Sequence, residues 1–320
     1  MKVLKYILLV LLTLPIVCCT QGSNQDKAAP HIETIAAEKN IELPHLPWHM
    51  MQVVWTFQDS IPDFQRYDID ITISDDVPDT YNLYISVINS AFNGSAFYGG
   101  IQTNINGWIN GTDQTRVHPG KGGIFSRWSA EEEKPIGLEY VDMFDDGLCE
   151  SAGYEGEFCS VRRPFKWTKG SYTASLIKEE TINHKEAAHT WVSMQITDKE
   201  TGEVRKIGRL LFEGEYLQMR HHSVAGFVEI YSTDKIPFSN VPEVTVTFGY
   251  PKINGKMKSL ENVFTRQETQ DSSVAKSPNC AYVTSEGLNI SVTTTPYVRS
   301  QSENDIYNYI ILNFPKEEQP

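Results

Sequence analysis

Three stretches combine residue types at spacings that chemistry can use. The first, SAFYGGIQTNINGW at 95–108, mixes glycines, aromatics and amides. In an extended chain successive side chains alternate between faces, so Tyr98, Gln102 and Asn104 share one face and Phe97 and Ile101 the other, with Trp108 in an Asn/Gly-rich turn. Gly99 and Gly100 between them mark a place where something approaches the backbone closely. In the second, GGIFSRWS at 122–129, Ile124, Ser126 and Trp128 oppose Phe125 and Arg127. An unpaired buried guanidinium is costly, so Trp128 is expected to face the core and Arg127 the exposed side. In the third, SVRRPFKW at 160–167, Arg163 shares a face with Val161, Phe165 and Trp167, and so either pairs with a buried acid or reaches into a groove. Aromatic rings stack on the apolar faces of pyranoses, while amides and guanidinium groups hydrogen-bond the hydroxyls. A glycan-binding surface of Tyr98, Gln102, Asn104, Trp108, Arg127, Tyr154 and Arg163 is therefore expected. The plain alternative is that Tyr98 and Trp108 are partly buried framework.

Carboxylates allow a second chemistry. Glu155 and Glu157 in YEGEF stand two apart, which on a strand puts them on one face about 7 Å apart, in the range of paired glycosidase carboxylates. With a loop aspartate such as Asp145 they are the candidates for glycan cleavage. Neither the E-x-D-x-E run of sandwich glucanases nor a G-x-S-x-G elbow occurs. Asp142, Asp145 and Asp146 in DMFDDGLCE are the residues that could form a loop cage for calcium. Acidic turns of this kind are common without metal, and no other cofactor is expected. HKEAAH at 184–189 is not a zincin motif: histidines five apart differ by about 140° around a helix. His221 and His222 fall on opposite faces of any strand.

These residues need a scaffold, and from Trp48 onward its period is two. YDIDITIS places Ile69, Ile71 and Ile73 on one face, YNLYISVIN does the same with Leu83, Ile85 and Val87, and TWVSMQIT with Val192, Met194 and Ile196. Many short alternating runs between Gly, Asp, Asn and Pro turns predict an all-β antiparallel sandwich. The expected organisation is a signal at 1–19, a polar tether at 20–47, a sandwich at 48–255, and a long loop with C-terminal strands at 256–320. Those last strands are expected to pack on the main sheets, since so short a module rarely folds alone. With 28 Lys and Arg against 41 Asp and Glu, the net charge is −13. Phosphate backbones repel such a chain, so nucleic acid is not an expected partner.

Lys2 and Lys5 precede an apolar run ending in LPIVCCTQG. This segment resembles the signal of bacterial lipoproteins, with IVCC as a lipobox and Cys19 as the acylated residue, although Cys18 stands where a small residue is usual. An ordinary secretory signal is the alternative, and either places the mature protein outside the cytoplasm. The resemblance implies a membrane contact through the lipid alone. Of the remaining cysteines, Cys149 and Cys159 flank a Gly-rich turn and are the expected disulfide, leaving Cys280 free.

The order FYGGIQTN, GGIFSRWS, AGYEGEFCSVRRPFKWTKGSYTASL, WVSMQIT and GFVEIYS resembles a group of secreted bacterial domains of unknown function, over roughly residues 80–255. The resemblance implies a jelly-roll sandwich similar to concanavalin-like lectins and glucanases, in proteins linked to glycan use. Residue by residue it points to Gly100, Gln102, Asn104, Phe125, Trp128, Gly156, Glu157 and Trp167, and it carries no catalytic set. Tyr154 interrupts its glycine loop. The leading expectation is an extracytoplasmic, lipid-anchored glycan binder. A glycan-cleaving enzyme and a non-catalytic envelope protein that binds another protein stay open beside it.

Overall fold

A computed structural model describes residues 48–131, 133–219, 223–231, 241–266 and 281–296, together with 34, 37, 38, 40, 310 and 311. The signal with Cys19, nearly all of the tether, His221, His222 and Cys280 lie outside the described residues.

The chain is an all-β antiparallel sandwich. Its strands are β1 (Trp48–Phe57), β2 (Arg66–Ile73), β3 (Leu83–Phe92), β4 (Ser95–Trp108), β5 (Arg116–Trp128), β6 (Val141–Asp142), β7 (Leu148–Ala152), β8 (Phe158–Pro164), β9 (Gly170–His184) and β10 (Ala187–Asp198). After them come β11 (Val204–Glu213), β12 (Ser223–Ile230), β13 (Val244–Phe248), β14 (Lys252–Ile253), β15 (Lys256–Met257), β16 (Leu260–Arg266), β17 (Ala281–Glu286), β18 (Asn289–Thr294) and β19 (Ile310–Ile311). One sheet has the order β19-β16-β1-β12-β3-β4-β5-β8-β7. The other runs β17-β18-β13-β2-β9-β10-β11-β6, with β14 and β15 attached beside β2.

Alternation decides which side of each strand is buried between the sheets. Ile69, Ile71 and Ile73 of β2 and Val192, Met194 and Ile196 of β10 pack in one core with Phe97 and Ile101 of β4 and Phe125 of β5. Each such side chain contributes roughly 1.5–3 kcal/mol through removal from water. HKEAAH is the β9–β10 hairpin tip, with Lys185 and Glu186 at φ of 50° and 65° in a two-residue turn. Among the described residues no helix is long and apolar enough to cross a membrane.

The two glycines of the opening stretch answer to the protein itself. A Cβ on Gly100 would come within 2.1 Å of the Ile85 carbonyl, where β3 bulges between Ser86 and Ile88. A Cβ on Gly99, on the inner face, would come within 2.7 Å of the Met194 sulfur from the opposite sheet. What approaches this backbone closely is neighbouring protein.

Three expectations need correction. Arg127 points into the sandwich, fully buried, and Trp128 lies half-buried on the outer face. The inward guanidinium is tolerated because it is paired: Nη2 lies 2.8 Å from Glu213 and donates to Ser95 Oγ at 2.7 Å, and Nη1 donates to the Leu211 carbonyl. The Cys149–Cys159 disulfide is not formed, and both are buried free thiols. β7 and β8 pair Cys149 with Val161 and Cys159 with Ser151, so the cysteines are diagonal neighbours, about 7–8 Å apart and beyond disulfide reach. Glu155 and Glu157 do not share a strand face, because 153–157 is the loop joining β7 to β8.

Candidate functional site

The outer face of the nine-stranded sheet follows from register, because residues opposite one another across antiparallel strands point the same way. One row across it is Glu229, Tyr84, Gln102, Gly122 and Pro164. The next is Phe227, Ser86, Gly100, Ile124, Arg162 and Leu148, and the third Ala225, Asn89, Tyr98, Ser126, Ser160 and Glu150. Trp128 and Phe158 stand opposite each other one row further on.

These positions bring six aromatic rings into a line across the strands. Successive centroids from Phe227 to Tyr84, Tyr98 and Trp128 are 5.3, 5.5 and 4.9 Å apart. The line continues to Phe158 at 6.3 Å and to Tyr154 at 5.2 Å. Phe227, Tyr84 and Phe158 are buried, Tyr98 and Trp128 half-buried, and Tyr154 is 61% exposed. The row thus has a buried end and an open end. Trp128 Nε1 donates to the Glu155 carbonyl at 2.9 Å, which ties the β7–β8 loop beside the rings.

At the buried end the Tyr84 hydroxyl has no well-placed hydrogen-bond partner among the described residues, Ser86 being its polar neighbour. Burial holds this phenol well above its ordinary pKa, so it is neutral. The nearby Ser86 hydroxyl faces the carbonyls of Ile88 and Gly99 instead. Beside Tyr84, Gln102 is buried, with its backbone carbonyl accepting from Trp167 Nε1 at 3.1 Å. Asn104 is half-buried and its backbone exchanges hydrogen bonds with the Tyr231 hydroxyl.

A charge cluster closes the open end. Glu150 is fully buried and accepts from Arg162 Nη1 at 2.6 Å and from Tyr154 Oη at 3.0 Å. Arg116, partly exposed, completes it by pairing with the Glu150 oxygen that Tyr154 also meets, Oε1, and with Asn106 Oδ1. Burial alone would raise the Glu150 pKa, but the two guanidiniums outweigh it and hold the carboxyl below its ordinary value. The cluster fixes the Tyr154 ring through its hydroxyl.

Of the seven expected ligand residues, Tyr98 and Gln102 share the outer face and Tyr154 joins the same aromatic line through Phe158, while Asn104 lies within a register shift of β4 and meets Tyr231 and Asn82. Arg127 is on the other side of the sheet. Trp108 ends β4 beyond register shifts between Gln102 and Gly107, registered opposite Arg116 on one side and Cys149 on the other. Arg163 leaves the face as well: it pairs with Asp146 at 2.6 Å and stacks 3.9 Å from the Phe144 centroid. Of the calcium candidates, Asp142 pairs with Arg209, and Asp146 with Arg163 and Arg205. Among the described residues no cluster of three or more His, Cys, Asp or Glu is placed to hold a metal ion.

Sequence reasoning missed Tyr84, Phe158, Phe227, Arg116, Glu150 and Arg162. β3 is buried over its first six residues and β8 over its first five, so alternation gives their core face but does not mark the outward side chains as a covered row. No model of a known protein family matches this chain, and no curated protein matches it. The functional reading therefore rests on the residues themselves.

Proposed function

We propose that the outer face of the nine-stranded sheet binds a glycan, without cleaving it. The observation that carries this reading is the aromatic line ending in half-buried Tyr98 and Trp128 and exposed Tyr154. Rings on a sheet exposed at one end offer stacking surfaces for pyranoses, and the partly exposed Arg116 beside them offers donors to hydroxyls. Glu150 is engaged by two arginines and a tyrosine, which suits a positioning role rather than proton transfer. The resemblance to secreted, glycan-linked domains agrees with this reading, as does the lipoprotein-like signal with Cys19 as the proposed acylated residue.

The test is a glycan array probed with the purified protein, with calcium and with chelator. A specific hit lost in Trp128→Ala supports the reading. A blank array from folded protein overturns it and turns attention to a protein partner. Acylation is checked by mass spectrometry of the membrane fraction, where a soluble product beginning near Gln21 would contradict the anchor.

A further inference from the structure

A cavity of about 500 Å³ opens where β5 and β8 approach the loop after β2, walled by Asp79, Pro119, Lys121, Pro164, Phe165 and Lys166. Its volume suits a small ligand. It lies apart from the aromatic line and does not depend on the function proposed above.

Lys121 is the unusual member. It is half-buried, with Nζ donating to the Trp167 carbonyl at 3.0 Å and sitting 4.5 Å from that ring's centroid. An ammonium has three donors, and this is the one it spends on the described protein. Other shielded cations have carboxylates: Arg127 meets Glu213, Arg162 meets Glu150, Arg163 meets Asp146 and Lys178 meets Asp63. Lys121 has none within ion-pairing distance among the described residues. Burial holds its pKa below the ordinary lysine value despite the opposing pull of Asp76 and Asp79.

Shielding a charge without a partner is unfavourable, and an incoming anion would relieve it. Lys166, exposed on the same wall, adds a second cation, while Asp79 is the single carboxylate of the lining. The lining itself sets two ammoniums against one carboxylate in a chain of net charge −13, with Asp76 acting on Lys121 from outside it. Pro119, Pro164 and Phe165 supply flat apolar surface next to those charges. Gly120 stands at φ of 92°, and a Cβ there would come within 3.3 Å of the Asp79 carboxylate, so the opening needs glycine.

We propose that this cavity binds a carboxylate-bearing ring, its anion paired with Lys121 and Lys166 and its body resting on Pro164 and Phe165. A uronic-acid unit of a glycan and a free cyclic organic acid share this chemistry.

The experiment is calorimetric titration of the folded protein with galacturonic acid, a galacturonate oligomer, benzoate and, as the uncharged control, galactose. Carboxylates are expected to bind, more weakly at high salt, and Lys121→Gln to weaken them about tenfold or more, the loss of a charged hydrogen bond. Asp79→Asn should tighten binding, and Trp128→Ala should leave it unchanged, which separates this cavity from the aromatic face. An oligomer that binds better than the free acids assigns the site to a glycan, and equal affinities assign it to a small acid. No carboxylate binding at millimolar concentration, or binding indifferent to Lys121→Gln, overturns the proposal. If Lys121→Gln does not fold, Asp79→Asn decides: affinity that fails to rise overturns it.

Discussion

Arg127 and Glu213 meet at 2.8 Å, the arginine wholly inside the sandwich and the glutamate at its margin. Ser95 Oγ donates to Glu213 at 2.9 Å and accepts from Arg127, so the three groups satisfy one another. The Arg127 guanidinium also lies 4.7 Å from the Phe212 ring centroid. Removing one member of a shielded pair costs more than the pair contributes, because the other charge is stranded. Glu213→Ala should lower stability by about 3 kcal/mol in urea unfolding. A loss below about 0.5 kcal/mol, the scale of an ordinary surface change, would contradict this account of Arg127.

The same pair sets a pH dependence. Burial would raise the Glu213 pKa, but the charge and hydrogen bonds of Arg127 hold it below the ordinary glutamate value. A depressed folded pKa contributes stability that is complete above the unfolded value of about 4.3 and is lost as pH falls through the folded value. The stability gap between the wild type and Glu213→Gln should therefore be widest near neutrality and narrow through the acid range below about 4.3. A gap constant from neutral pH into that range would count against the ion pair.

Gly99 and Gly100 are adjacent yet should respond differently to alanine. At Gly100 the new methyl meets backbone, the Ile85 carbonyl, which cannot move without breaking the β3 bulge. At Gly99 it meets the flexible thioether of Met194. Overpacking of the first kind should cost about 3 kcal/mol and the second clearly less. Thermal unfolding of both variants tests the order, and equal losses would refute it.

Cys149 and Cys159 are predicted to behave as separate buried thiols. Burial pushes the Cys159 thiol up to about 12, so it carries no thiolate at neutral pH. Neither residue should alkylate in the native protein, and both should alkylate once it is denatured, without reductant. Protection of both in denatured, unreduced protein would show a disulfide and contradict the register of β7 and β8.

The sandwich was legible wherever one face of a strand is wet. β2 and β10 alternate, and their isoleucines, valine and methionine occupy the core that the pattern implies. Legibility of the site fails where both faces are covered: in β3 the core face of Leu83, Ile85 and Val87 follows the pattern, but nothing marks Tyr84 on the other face as part of the aromatic line. It fails again where a partner is remote. Arg127 is expected outward because an unpaired buried guanidinium is costly, and the Glu213 that pairs it inside lies 86 residues away. Trp108, expected in a turn, instead ends β4, registered opposite Arg116 and Cys149 beyond the register shifts of that strand pair. Tyr98 and Gln102 precede those shifts and share the outer face, while Asn104 falls within the first of them.

The central claim is that the aromatic line forms the binding face, and two equally exposed tyrosines test it. Tyr154 ends the line and is 61% exposed, whereas Tyr216 is 65% exposed and lies over Lys178, away from it. Affinity for a glycan identified on the array should fall about tenfold in Tyr154→Ala and stay unchanged in Tyr216→Ala. Equal affinities for the two variants, or a loss confined to Tyr216→Ala, would contradict the account.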